Sequence, residues 1–385
     1  MASLKIRPYR AQDEEGFFAV ISLTYNDGLE VPAERRQYLL SQRYVAEQEG
    51  KIVGTFSVLE LKLTRGAAEF HAAGVAGVAV SPDARREGVG AAMMNWAVEN
   101  FRREGKTLAA LFPFREPFYA RSGYAVAGMR IRLTVPMHRL PRIETDLPIR
   151  RLTPADWREL VDCRSRFAHG RSGVNLRTEG MWGRVLSERK PLAIYAAGDP
   201  VQGYIAVSHQ TTFWEEQFLS EVIWSSRAGY EACLAMMHRV AINKTSVSWY
   251  EPSDSPFYSF YLDQGVTAEI QRPTMFRVCD VVAALNGLKP IGSGAFTFGL
   301  QDPQIPENDA TFQVRFKPER VLVEKTHIDL PDLIFSVPGF TQAFLGEPSL
   351  AQLAQFGSVQ VNSQSALEEA ERLLPPLPVY CNDFF

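Results

Sequence analysis

The stretch from Gly74 to Val126 constrains the fold of this chain more than any other. It opens on a valine-rich apolar run, Val75 to Val80, that stops at Ser81-Pro82 and so predicts a strand. Arg85-Arg86-Glu87-Gly88-Val89-Gly90 follows. A helix starts directly after it, because Val89, Met93, Trp96, Ala97 and Phe101 share one face at helical spacing. Leu108 to Phe112 predicts a second strand, Pro113 to Gly123 a short helix or turn, and Tyr124-Ala125-Val126 a third strand. A strand that passes through a glycine turn into a helix makes an anion cradle. Glycines at 88 and 90 carry no Cβ, so a phosphate can approach the backbone. The unpaired N–H groups at the helix start point at that phosphate, and the helix dipole favours its charge. Arg85 and Arg86 add positive charge alongside.

The chain has 385 residues, too many for one ordinary core, and predicts two or three domains. With 46% hydrophobic and 22% charged residues it reads as a soluble globular protein. A net charge of −3 gives no field for a nucleic-acid binder. No apolar run reaches membrane length, and the first residues carry charge where a signal peptide is apolar. The expectation is a cytoplasmic protein with no membrane partner. Cys163, Cys233, Cys279 and Cys381 are far apart, and the histidines are scattered, so neither a disulfide framework nor a metal site is expected.

Before the central stretch, Leu4 to Arg7 predicts a strand and Arg10 to Asp13 opens a helix with Phe17, Phe18, Val20 and Ile21 on its buried side. Tyr44 to Glu47 and Lys51 to Val58 read as a hairpin around Glu49-Gly50, and Leu61 to Thr64 as a further strand. Ile131 to Val135 adds one more, and the proline-marked residues 136–148 form a linker. The start then repeats. Leu147-Pro148-Ile149-Arg150 through Asp156 echoes Leu4 through Asp13, and Pro200 to Ser208 echoes Lys51 to Val58. The counterpart of the glycine turn, Trp224 to Ala232, lacks the double arginine and one glycine. After about residue 286 the pattern changes to strands at Phe296–Leu300 and Thr311–Phe316, then three helices between Ser336 and Leu374.

Strand, Arg-Arg-x-Gly-x-Gly, helix, strand and then Phe118-Tyr119-Ala120-Arg121-Ser122-Gly123-Tyr124 resembles the core of the GNAT superfamily of N-acetyltransferases. The resemblance implies acetyl-CoA as co-substrate and no metal. It implies backbone contacts to the pantetheine arm from Val78, Ala79 and Val80. It further implies pyrophosphate contacts from Arg86, Glu87, Gly88, Val89, Gly90 and Ala91, with Phe114 and Arg115 at the border. The last hundred residues resemble the sterol carrier protein fold, from which no lipid follows. Two acetyltransferase-like units and a sterol-carrier-like domain together resemble the enhanced intracellular survival family. The expected α/β (α+β) architecture is a catalytic domain at 1–140, a degenerate acetyltransferase-like domain without cofactor at 141–285, and a sterol-carrier-like domain at 286–385. The family also implies a homo-oligomer, most simply a hexamer.

Acetyl transfer to an amine needs a base for the ammonium proton and an acid for the departing thiolate. Gly74 to Val80 carries no carboxylate, and Glu69 lies several residues earlier. On the residues alone, Phe385 is either a frayed end or a terminal carboxylate folded back as the base. The family resemblance implies the latter, with Tyr119 as proton donor. Asp27 and Glu30 are candidates for the acceptor pocket. Family members that take aminoglycosides carry an acid next to their last residue, where this chain has Phe384. The expected function is therefore acetylation of a primary amine on a small, aminoglycoside-like molecule or a protein lysine. The alternative is a non-catalytic acyl-CoA or lipid-binding protein that uses its last domain.

Overall fold

The computed structural model describes residues 4–32, 42–185, 192–208 and 214–383. Strand β1 (Lys5–Pro8) leads through a single 3-10 turn into helix α1 (Glu14–Tyr25), which buries Phe17, Phe18 and Val20. Strands β2 (Gln42–Gln48) and β3 (Lys51–Arg65) form the expected hairpin. Its two turn residues, Glu49 and Gly50, both have positive φ, as a two-residue hairpin of this hand requires. Leu61–Thr64 is not a separate strand. No turn residue interrupts the run, so β3 continues unbroken for 15 residues and pairs antiparallel with β4 (Ala68–Val80). Helix α2 (Val89–Arg103), strand β5 (Leu108–Leu111), helix α3 (Glu116–Ala120) and strand β6 (Ala125–Val126) complete the first unit.

Strands β4 and β5 are parallel but pair only from Ala72–Val75 to Leu108–Leu111. Past Val75 they part, and β4 runs on to Val80 paired with β3 but not with β5. Ligands of open α/β sheets sit in a crevice of this kind, beyond the carboxyl ends of parallel strands.

The second unit repeats the plan with β7 (Arg130–Pro136), β8 (Ile149–Leu152), helix α4 (Arg158–Ala168), β9 (Ser172–Asn175) and β10 (Leu192–Ala197). Next come β11 (Gly203–Ser208), β12 (Gln217–Trp224), helix α5 (Arg227–Val240), β13 (Ser246–Pro252) and β14 (Thr267–Gln271). The boundaries expected at 140 and 285 do not coincide with the sheets. Strand β7, expected in the first unit, lies between β13 and β14 in the second sheet. Strand β15 (Met275–Val278), expected in the second, pairs with β5 and β6 in the first. The physical reason is strand exchange: each short strand bridges two strands of the neighbouring sheet and satisfies the backbone groups that they would otherwise leave unpaired. Strand β9 likewise pairs with β3.

The last unit is a five-stranded sheet in the order β18 (Arg320–Thr326), β17 (Ala310–Lys317), β16 (Gly294–Gln301), β19 (Leu333–Ser336) and β20 (Val359–Val361). Helices Val337–Leu345, Leu350–Gln355 and Gln364–Leu373 accompany it. Its interior is filled by Phe296, Phe298, Phe312, Phe335, Phe340 and Phe344; Phe298 stacks on Phe312 and Phe340, Phe340 stacks on Phe344, and Phe335 meets Phe298 edge-on. Phe344 meets Phe70 of β4 edge-on at 5.4 Å, so the first and last units share one core. Arg277 on β15 and Asp302, both fully buried, join the same two units at 2.8 Å.

Candidate active site

The expected anion cradle forms at the start of α2. After the 3-10 turn Pro82–Ala84 the chain reverses through Arg86 at φ 69° and Gly88 at φ 86°, and Gly88 is the helix N-cap. No side chain caps this helix. A Cβ on Gly88 would meet no atom within 4 Å, so the space in front of the first amides is open. Arg85, Arg86 and Glu87 are exposed around it, and Arg85 Nε donates to the Val80 carbonyl at 3.1 Å. Gly90 serves a different contact. A Cβ there would lie 3.0 Å from the Phe118 ring, so its small size lets α2 lie against α3.

The end of β4 is shaped by a bulge. Thr55 pairs with Ala79 and Ser57 with Ala76, so β4 has one extra residue where Gly77 adopts φ 58°. The Val78 carbonyl accepts a 2.6 Å hydrogen bond from the Tyr25 hydroxyl, which ties α1 to the strand. Neither feature is foreseen by the strand pattern; Gly77 within a valine run is the signal that marks the bulge.

Tyr119 sits on α3 and is buried in the cluster that holds Val78, Val89, Leu111 and Met275. Phe118, Phe114 and Tyr124 meet its ring edge-on at 4.8, 5.6 and 6.3 Å. Burial pushes its phenol well above the ordinary tyrosine range, and nearby Tyr25 adds to this. The proton is therefore held at neutral pH and is available to a stronger base. Phe114 is exposed and leans on Phe118 at 5.7 Å, while Arg115 is exposed at the start of α3. Of the expected site residues, the structure brings Val78, Val80, Val89, Gly90 and Tyr119 together, with the loop 85–88 as their rim. Ala79 is buried beside them in β4, and Ala91 follows in the first turn of α2.

The candidate bases divide. Glu69 is an ion-pair partner of Lys62 at 3.0 Å, near the far end of β4 and about 30 Å of strand from Val78. Asp27 lies in the turn after α1 at φ 51°. Glu30 lines a hollow of about 490 Å³ along α1 with Glu14 and Glu15. Phe384 and Phe385 lie outside the described residues. The segment before them is well placed: Val379 pairs with Ser172, and Cys381, Thr274 and the β15 strand are neighbours.

The second unit presents the same elements in a closed form. Ser226 caps α5 by accepting from Gly229 N at 3.0 Å, which plugs the position that stays open at Gly88. A Cβ on Gly229 would fall 2.0 Å from the Gln202 carbonyl, so its small size lets the first turn of the helix lie directly against the turn before β11. A cavity of about 670 Å³ opens beside this capped helix start, lined by Phe167, Trp224, Ser226, Arg227, Tyr230 and Tyr261. Behind it the fully buried Glu251 accepts from Tyr230 and Trp249, and burial pushes its carboxyl up to about 7. Among the described residues no group of three or more His, Cys, Asp or Glu is arranged to hold a metal. No helix there is long and apolar enough to cross a membrane.

Residues 5–127 match the model of the acetyltransferase (GNAT) domain, and residues 280–382 match that of the sterol carrier protein domain. An uncharacterized N-acetyltransferase of Streptomyces avermitilis is 25% identical over 343 residues, which is 83% of each chain. A GCN5-related N-acetyltransferase from Anabaena variabilis shares the fold over 100% of both chains, with TM-score 0.90 at 18% identity. Eis1 from Mycobacterium abscessus does so with TM-score 0.82 at 21% identity, again over 100% of both chains.

Proposed function

We propose that this chain, with its GNAT domain and its C-terminal sterol carrier protein domain, is an N-acetyltransferase that transfers the acetyl group of acetyl-CoA to a primary amine. The observation that carries the reading is the open, uncapped start of α2 beside the bulged end of β4, with the buried Tyr119 phenol in the same cluster. Amides from Arg86 to Ala91 would hold the pyrophosphate, and Val78 to Val80 the pantetheine arm. Acetyl-CoA brings the thioester. The amine nitrogen attacks its carbonyl carbon, the C–N bond forms and the C–S bond breaks. Tyr119 Oη–H gives its proton to the leaving sulfur. The main-chain carboxylate of Phe385 takes one proton from the ammonium before attack, and the second, lost from nitrogen as the amide forms, returns to the Tyr119 phenolate. An ordinary terminal carboxyl is a weak base, with a pKa of about 3.5, so an apolar surrounding must raise it for this role.

The acceptor class is a small cationic, aminoglycoside-like amine or a protein lysine. Support for a cationic acceptor comes from the hollow lined by Glu14, Glu15 and Glu30 along α1, whose last residue, Tyr25, reaches Val78. The second unit is read as a scaffold without cofactor, on the strength of its plugged helix start. The same reading places a homo-oligomer, a hexamer, in the cytoplasm. The lipid-binding alternative has no comparable support, because phenylalanine rings fill the interior of the last unit. Calorimetric titration with acetyl-CoA, followed by thiol release with a panel of primary amines, tests the proposal. Binding and turnover with at least one amine is the expected result; cofactor binding without turnover on any amine contradicts it.

A further inference from the structure

In the second sheet the parallel strands β12 and β13 part as β4 and β5 do. They pair only through Gln217–Phe218 and Val247–Ser248, and Leu219–Trp224 runs on without β13. In the first unit this parting leaves the cofactor crevice. In the second unit the chain's own C-terminal segment enters it. Tyr380 donates its hydroxyl to the Tyr250 carbonyl of β13 at 3.2 Å, and Asn382 Nδ2 donates to the Ser220 carbonyl of β12 at 3.4 Å. The Tyr380 ring is buried in the second core, edge-on to Phe167. On the β9 side, Ser172 N donates to the Pro378 carbonyl and Tyr380 N to the Ser172 carbonyl.

The segment ends in a buried cluster of four charges. Arg164 Nη2 donates to Asp383 Oδ2 at 3.1 Å and Arg164 Nη1 to Glu221 Oε1 at 2.6 Å. Arg177 Nε donates to Asp383 Oδ1 at 3.0 Å, and its Nη1 to Glu221 Oε2 at 3.0 Å. Asn175 Nδ2 adds a bond to Asp383 Oδ2 at 3.0 Å. All four charged side chains are at most 5% exposed. Burial pushes the Asp383 carboxyl up, but Arg164 and Arg177 more than reverse this and hold it well below the ordinary range. Two cations and two anions balance, so the cluster stays charged inside the protein. Buried ion pairs add little net stability over apolar packing, and their best-attested use is to fix one arrangement. Here they fix the chain two residues before Phe385, and two residues span about 7 Å at most.

We propose that Asp383 is a positioning residue. The second unit has exchanged a cofactor crevice for a socket that holds the C-terminal segment and sets where Phe385 ends. The inference rests on the reading of Phe385 as the base. Its consequence is that Asp383 controls turnover without touching acetyl-CoA or the acetyl acceptor.

Four variants test this. Asp383→Asn leaves the cluster with an uncompensated positive charge. The double variant Asp383→Asn with Arg177→Gln restores the balance, so it guards against simple misfolding. Deletion of Phe385 is the reference. Both Asp383 variants are expected to keep the acetyl-CoA Kd and the amine KM within about threefold. Their kcat should fall at least tenfold, since misplacement by about 1 Å can cost a hundredfold. Release of Phe385 by carboxypeptidase, followed by mass spectrometry, should accelerate at least tenfold. Asp383→Glu should recover part of both. If deletion of Phe385 abolishes turnover while the Asp383 variants keep native kcat and native carboxypeptidase resistance, the socket is refuted. If deletion leaves turnover intact, the base reading fails, and carboxypeptidase resistance alone then decides whether Asp383 holds the segment.

Discussion

Gly88→Asp separates folding from cofactor binding at one residue. Gly88 has φ 86° and open space in front of it, so a side chain there costs backbone strain of about 1 to 2 kcal/mol but no collision. A carboxylate also sits at the uncapped start of a 15-residue helix, where the dipole returns about 0.3 to 1 kcal/mol. The net loss of stability is thus on the order of 1 kcal/mol, and Gly88→Ala, without the charge, should lose slightly more. Binding moves the other way. Two phosphate charges about 6 Å from the new carboxylate, at an effective dielectric between about 40 and 80, repel by about 1.4 to 2.8 kcal/mol in all. The acetyl-CoA Kd should rise ten- to a hundredfold in Gly88→Asp and change less than about threefold in Gly88→Ala. Titration calorimetry at low salt reads the Kd, and scanning calorimetry reads the Tm. A folded Gly88→Asp protein with the native Kd would refute the phosphate cradle.

Tyr119→Phe keeps the edge-on ring contacts and removes the proton, so turnover should fall roughly a hundredfold or more with little change in Tm. Because burial raises the Tyr119 phenol, the folded chain holds its proton where the unfolded chain has lost it. That stability is present below about pH 10 and declines above it, a slope that Tyr119→Phe should reduce in alkaline melts. Glu251, raised to about 7, contributes stability below about pH 4.5 that is lost as the pH rises through 7, worth about 3 kcal/mol. Glu251→Gln should therefore melt higher than the native protein at pH 8 and not at pH 4.5. Light scattering at micromolar concentration should give the mass of six 43.2-kDa chains; a monomer mass rules out the hexamer.

Local signals made the first unit legible. The helix face of Val89, Met93, Ala97 and Phe101 is buried as its spacing predicts, and Glu49-Gly50 makes the turn that its residues favour. What eluded sequence reasoning is non-local. Gly123 ends the Tyr119 motif at φ 79°, and a Cβ there would fall 1.7 Å from Arg277 Nη1, a residue more than 150 positions away. The alternation of Ile131, Leu133 and Val135 predicts a strand but cannot name its sheet, because its partners β13 and β14 lie more than 100 residues further along the chain. Nothing near Asp383 in sequence announces its partners Arg164 and Arg177, which lie more than 200 residues earlier in the chain. The echo of Leu4 through Asp13 in Leu147 through Asp156, and of Lys51 to Val58 in Pro200 to Ser208, makes the repeat legible, and the structure adds Ser226 as the cap where the first unit has Gly88.

The central claim is that the main-chain carboxylate of Phe385 acts as the base. Adding two residues after Phe385 replaces that carboxylate with a neutral peptide carbonyl and leaves every described contact of Val379 to Asp383 in place. The measurement is kcat for thiol release with the best amine of the panel, alongside the acetyl-CoA Kd and Tm of the same protein. Turnover should fall at least a hundredfold with Kd and Tm near native. Native turnover in the extended protein would contradict the central claim and transfer the role of base to a side-chain carboxylate such as Glu30.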